Sequence, residues 1–279
     1  MSVGKSEGRT PGKHSLLNAV LGKQAGAFVK SKWMNQPFVI IDLCAGDGVN
    51  TEESGLCSPQ IIAKHSRWIC SQFNSGDASI VILVEKDTGT FDILRNAYED
   101  SRCILIKGNS NDDAVVSQIA SVFDGIPDSS NCPVFIHHDP NSVTNWCLRK
   151  EYLELSRLVT TMVTMGCNVS GIKRLGLEER KQWFDNFNVL KHQVKSTNGR
   201  LDLCLSALRG DCSNWAYSLS APSVWRDDMT SAMATAFRRW ANGIELEWMN
   251  CSPIQFDKLT HKLFLTKKEF EEMENDYTP

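Results

Sequence analysis

Short runs of Val, Ile, Leu and Phe recur along the chain, separated by stretches in which apolar residues return every three or four positions. The apolar runs have strand length and predict strands at 37–44, 78–85, 103–108 and 132–138. The stretches of helical period predict helices at 58–73, 89–100, 111–123 and 148–162, one after each strand. A weaker strand signal follows at 163–170, then a helix at 177–195. The pattern then changes to two strands joined by a short turn, at 200–208 and 215–222. A helix over 227–243, a strand over 244–249 and a charged helix in the tail 258–279 extend the chain. Val- and Ile-rich strands alternating with amphipathic helices predict a mainly parallel sheet covered on both faces, its crossovers right-handed.

Composition changes this picture little. The chain has 279 residues, 42% hydrophobic and 23% charged, which places it among globular proteins. No apolar run reaches the length of a membrane span, and no membrane partner is expected. The first fifteen residues lack an apolar signal core, so the expected location is cytoplasmic. Ten cysteines are scattered without a CxxC pair or a Cys/His cluster of zinc spacing. They read as reduced thiols within apolar runs, and no metal site is expected.

The net charge of −3 excludes a globally basic nucleic-acid binder. Charge is nevertheless uneven. Lys5, Arg9, Lys13, Lys23, Lys30 and Lys32 face only Glu7 in the first 32 residues, and a second basic stretch runs from Lys173 to Arg200. Such patches either contact phosphates or form solvated surface.

Open α/β sheets bind ligands beyond the carboxyl ends of their strands, so the candidate chemistry is sought there. The first strand ends in Asp42-Leu-Cys-Ala45-Gly46-Asp47-Gly48, a glycine turn through which a ligand can approach the backbone. It lacks the third glycine of the dinucleotide fingerprint. The second strand ends in Glu85-Lys86-Asp87, where a carboxylate either accepts two ribose hydroxyls or is a surface acid. After the third strand, Asn109 either bonds an adenine amino group, serves the turn, or caps the helix beginning near 111. The fourth strand ends in His137-His138-Asp139-Pro140-Asn141-Ser142. The adjacent histidines point to opposite faces of a strand, which disfavours a shared metal.

Five alternating units closed by a hairpin resemble a Rossmann-like class I methyltransferase fold. The motifs carry the likeness further. Lys13-His14 near the start, Asp42 to Gly48, Gly55-Leu-Cys-Ser58-Pro59-Gln-Ile-Ile-Ala63, the Glu85-Lys86-Asp87 run and Asp139-Pro140 resemble, in order, two related bacterial families. These are the ribosomal RNA large-subunit adenine-N6 methyltransferases and the three-Cys-motif partner proteins. The match spans roughly 10–175, with two residues inserted between Gly55 and Ser58.

The resemblance implies a mainly parallel seven-stranded sheet in a domain over 1–222, with 223–279 as a C-terminal elaboration. It implies S-adenosylmethionine (SAM) as cofactor, held by Asp42, Ala45, Gly46, Gly48, Ser58, Glu85, Lys86 and Asn109. Asp139 and Pro140 would hold the acceptor, with His14 near the site. A nucleic-acid partner is implied, with adenine N6 as acceptor, and a protein partner for target recognition. Those adenine enzymes carry Asp-Pro-Pro-aromatic at the fourth strand, where this chain has Asp-Pro-Asn-Ser. A small-molecule or protein acceptor, or an idle binding module of the same fold, are the alternatives. Trp146 and Trp225 lie in loop-like stretches and are the candidate stacking rings, whereas Trp183, Trp240 and Trp248 read as core.

Overall fold

Six of the seven strands of one sheet run in the same direction, and the seventh is inserted antiparallel between two of them. The computed structural model describes residues 10–31, 36–49, 56–99, 101–140, 148–166, 200–206 and 215–222. The strands are β1 (Phe38–Asp42), β2 (Ser79–Glu85), β3 (Cys103–Lys107), β4 (Pro133–His138), β5 (Leu158–Gly166), β6 (Arg200–Ser206) and β7 (Trp215–Pro222). Their order is β3-β2-β1-β4-β5-β7-β6, with β7 antiparallel to both its neighbours. Moving outward from β1 in both directions, this order reverses at the β1–β4 junction, the place where such sheets open a crevice. The expected seven-stranded class I methyltransferase topology is therefore present.

The helices are α1 (Thr10–Lys30), α2 (Ser58–Phe73), α3 (Thr88–Tyr98), α4 (Asp113–Asp124) and α5 (Lys150–Glu154). Alternation along each strand divides the core in two. Phe38, Ile40 and Phe135 pack with Leu17, Leu21 and Ile62 on the face covered by α1, α2 and α3. Val39, Ile41, Val134 and Ile136 pack with Ile119, Phe123 and Tyr152 on the face covered by α4 and α5. Each such side chain contributes about 1.5–3 kcal/mol on burial. Burial on both faces is why β1, β2 and β4 are almost wholly apolar, with no polar face.

Two elements differ from the sequence expectation. Residues 10–30, a basic segment by sequence, form the long helix α1. Its apolar pairs Leu16/Leu17 and Val20/Leu21, then Ala25 and Phe28, repeat at the helical period and are buried. Gln24 Nε2 donates to Thr160 Oγ1 at 2.9 Å, fixing α1 to β5. Asn18 bonds His65 of α2 at 2.9 Å, and Phe28 packs on Phe38 and Phe73. α1 thus runs parallel to α2, so its first turns reach the carboxyl edge of the sheet.

The second correction concerns 148–170. The helix expected over 148–162 is limited to Lys150–Glu154, and the strand begins at Leu158 rather than 163. Ser156 makes the junction. Its hydroxyl donates to the Cys132 carbonyl at 2.6 Å and accepts the Leu158 N–H at 3.1 Å. The run after it, rich in β-branched residues, pairs with β4 from Pro133 onward. The expected helices at 177–195 and 227–243, the strand at 244–249 and the tail helix lie outside the described residues. Among the described residues, no helix is long and apolar enough to cross a membrane.

Candidate functional site

The carboxyl ends of β1, β2 and β4 meet at one edge, and the turn after β1 crosses all three. Ala45 N–H bonds the Val84 carbonyl at 2.9 Å, and Leu43 N–H bonds the His137 carbonyl at 2.9 Å. These bonds carry the turn across the strand ends and leave Gly46 and Gly48 both at φ +67. That backbone region is costly for any residue with a Cβ.

The two glycines differ in surroundings. A Cβ on Gly48 would lie 2.6 Å from Leu94 Cδ1 and Tyr98 Cε2, so Gly48 lets the turn pack on α3. A Cβ on Gly46 would meet nothing within 4 Å. Gly46 therefore offers bare backbone to open space, the surface a ligand requires.

Asp42 is fully buried at the end of β1. Its Oδ1 accepts the Cys44 N–H at 3.2 Å and lies 3.1 Å from His137 Nδ1. A carboxylate only accepts, so His137 Nδ1 carries the proton in this contact. Oδ2 has no hydrogen-bond partner of good geometry. Burial pushes the Asp42 carboxyl up, but the charge and hydrogen bond of His137, the Ser58 hydroxyl and the Cys44 amide outweigh it and hold the carboxyl below its usual range. Asp42 is thus an ionised, buried acceptor.

Glu85, at the end of β2, is buried. Its Oε2 accepts the Gly46 N–H at 2.9 Å, and Oε1 accepts the Asp87 N–H at 2.8 Å. Each oxygen retains a lone pair for a further donor. The sequence expectation of a diol-binding acid is compatible with this placement, and Glu85 also ties the glycine turn to β2.

His138 faces the other side of the sheet from His137. Its Nδ1 lies 3.6 Å from Cys44 Sγ, and its Nε2 is buried without a partner. Burial lowers its pKa to about 4, with the His137 charge acting in the same direction, so the ring is neutral at physiological pH. Burial raises the Cys44 thiol well above its ordinary value, so it stays protonated beside the ring.

The remaining expected residues spread around this centre. Asp139 and Pro140 follow β4 directly and are half-buried. Ser58 starts α2, where Cys57 N–H donates to Gln60 Oε1 at 3.0 Å, and the Ser58 hydroxyl interacts with Asp42. His14 is on the first turns of α1, at the same edge of the sheet. Lys86 is exposed beyond β2. Asn109 is exposed beyond β3, and its Oδ1 accepts the Asn111 N–H at 3.1 Å, a local turn bond. It does not cap α4, whose cap is Asp112. Asn141, Ser142, Trp146 and the basic stretch 173–199 lie outside the described residues.

The sequence did not single out the Asp42–His137 contact. Asp and His in adjacent parallel strands at paired register positions, Asp42↔His137, were the available signal.

No family model matches the chain, and no curated protein matches it. Among solved structures, a Legionella pneumophila protein of family-model DUF519 shares 12% identity at TM-score 0.48, over 88% of this chain and 97% of that one. A Bacillus cereus O-methyltransferase in complex with SAH shares 12% identity at TM-score 0.46, over 79% and 84%. A Methanococcus jannaschii fibrillarin pre-rRNA processing protein shares 14% at TM-score 0.40, over 68% of each chain. Strand order and direction, rather than these likenesses, define the fold of this chain.

Proposed function

We propose that this chain is a SAM-dependent methyltransferase acting on nucleic acid, with an adenine N6 amino group as acceptor. The observation that carries the reading is the meeting, at one sheet edge, of Asp42 and Glu85 at the ends of β1 and β2, and Gly46 in the turn between them, with Asp139-Pro140 directly after the neighbouring β4.

The residues present fit the cofactor. Glu85 has acceptor capacity for a ribose diol. Gly46 presents backbone to open space. The ionised carboxylate of Asp42, at the end of β1, suits a positively charged donor such as the amino group of a methionine moiety. SAM, when bound, supplies a reactive methyl on a sulfonium. The protein's task is then alignment, which accounts for a large part of rate enhancement in such transfers. The Asp139 carboxylate accepts one amino hydrogen of the acceptor and the Pro140 carbonyl the other, which directs the nitrogen lone pair toward the donor. Asp139 also stabilises the positive charge that develops on that nitrogen. An adenine in a duplex must leave the stack to reach these groups.

In this reading the protein works in the cytoplasm, with a protein partner contributing to target choice. The described cysteines, Cys44, Cys57, Cys70, Cys103 and Cys132, are free thiols, in keeping with that compartment.

Calorimetry of SAM with wild type and Asp42→Ala tests the cofactor, with ATP and NAD as controls. Micromolar binding to wild type that disappears in Asp42→Ala is expected. Transfer of labelled methyl from SAM to total RNA and DNA then tests the acceptor. A folded protein that binds no SAM would end the enzyme reading.

A further inference from the structure

At the Gly48 end of the glycine turn, α2 and α3 border an open cavity of about 410 Å³. It is lined by Gly48 and by Gln60, Lys64 and Arg67 of α2, facing Ala97 and Tyr98 of α3. It includes none of Asp42, Gly46 or Glu85. Gln60, Lys64 and Arg67 stand at i, i+4 and i+7, so they share one stripe of α2.

What sets this face apart is that two cations line one concavity. Arg95 pairs with Asp92, Arg102 with Asp77, and Arg149 with Asp113 and Glu151. Lys64 and Arg67 take part in no ion pair, and no carboxylate lines the cavity, among the described residues. Their charge reaches their neighbours: burial lowers the His65 pKa and Lys64 adds to that, while burial raises Tyr98 and Cys103 and Arg67 opposes the rise. Two cations without an ion-pair partner among the described residues, set at one concave surface, attract anions.

One turn on from Lys64, Trp68 is 40% exposed, the only exposed large aromatic side chain among the described residues. A tryptophan ring beside two cations is the combination that holds a single strand, with phosphates on the cations and a base on the ring. An acidic peptide would use the cations but give the ring no flat partner. The chain as a whole is acidic, so the patch is a local feature and not a consequence of composition.

We infer that Lys64, Arg67 and Trp68 form a track for single-stranded nucleic acid that leads to the Gly48 end of the proposed methyl-transfer site. The inference rests on the nucleic-acid reading above and assigns a face of the protein to it. It gives the unpaired stretch beside the target residue a place to lie.

The test is fluorescence anisotropy with a short labelled single-stranded RNA of mixed sequence, and the same sequence as DNA, over a range of salt. Wild type is compared with Lys64→Gln/Arg67→Gln and with Trp68→Ala, each also titrated with SAM by calorimetry. All three residues are exposed, so SAM binding and thermal melting should be unchanged. The double variant should reduce the slope of log K against log salt by about 1.4, two single-strand phosphate contacts at about 0.7 each. Trp68→Ala should weaken binding at least about fivefold, the lower end for loss of one stacked base. Lys64→Arg/Arg67→Lys should restore the slope. If wild type binds both oligonucleotides and neither variant differs from it, the track is wrong and the nucleic-acid reading stands. If wild type binds SAM but no oligonucleotide at any salt, both are wrong. If polyglutamate displaces the strand and binds Trp68→Ala as tightly as wild type, the face is a site for an acidic protein instead.

Discussion

His137 Nδ1 lies 3.1 Å from Asp42 Oδ1, joining the ends of two central parallel strands that are already paired at that register. Both side chains are buried. The contact keeps an ionised carboxylate inside the core, where a single removed partner is costly. We expect His137→Ala to destabilise the protein by about 3 kcal/mol in urea denaturation. The double variant Asp42→Leu/His137→Leu should cost less than the sum of the two single changes, because it leaves no unpaired charge. Additive losses would show that the two side chains act independently.

The two positive-φ glycines of the turn should fail in different ways. Gly48→Ala places a methyl 2.6 Å from Leu94 and Tyr98, both buried, so the loss should appear as instability of about 1–3 kcal/mol in addition to backbone strain. Gly46→Ala meets no protein atom and carries only the strain of the left-handed conformation, roughly 1–2 kcal/mol. Its methyl projects where the cofactor is proposed to lie. Calorimetry should therefore show SAM affinity reduced tenfold or more in Gly46→Ala, in a protein that still melts cooperatively.

The strands were legible because β1, β2 and β4 are buried on both faces, which requires a continuous apolar run of strand length. The turn residues were legible because glycine after a strand marks a special backbone. Helix α1 was missed although its buried positions repeat at the helical period, because the lysines between them dominate a reading by charge. The start of β5 was missed because Ser156 and Arg157 do not break a helix by propensity, whereas hydrogen bonds from the Ser156 hydroxyl to the Cys132 carbonyl and from the Arg157 N–H to the Ser130 carbonyl fix the junction. The Asp42–His137 contact lies 95 positions apart in sequence, and only strand register brings it together.

His138 gives the protein a predictable response to acid. Its pKa in the folded state is about 4, against an ordinary value of 6.5. Below pH 6.5 the unfolded chain takes up a proton at this ring that the folded chain refuses, so stability falls as pH drops from about 6.5 to about 4. The full effect is on the order of 3 kcal/mol. Asp42, held below its ordinary 3.8, adds a separate loss only at still lower pH. Melting temperature measured from pH 7 to pH 4 should fall for wild type and fall less steeply for His138→Gln. Parallel curves for the two proteins would show that the ring is not buried in neutral form.

Asp139 should separate binding from chemistry. It follows β4 directly, whereas the cofactor-holding candidates Asp42, Gly46 and Glu85 are joined to one another by the turn across β1 and β2. In the proposed reaction, Asp139→Ala removes both the acceptor of an amino hydrogen and the charge opposite the developing cation. The expected loss in kcat is about 100-fold or more, with SAM affinity within about twofold of wild type. Asp139→Asn retains a carbonyl acceptor in nearly the same volume but lacks the charge, so it should fall between the two. The measurements are single-turnover methyl transfer to RNA and SAM calorimetry on each variant. Full activity in Asp139→Ala would remove Asp139 from the acceptor site, and equal loss of SAM binding would move it to the cofactor site. An Asn variant as inactive as Ala would mean that charge stabilisation outweighs orientation of the lone pair at this position.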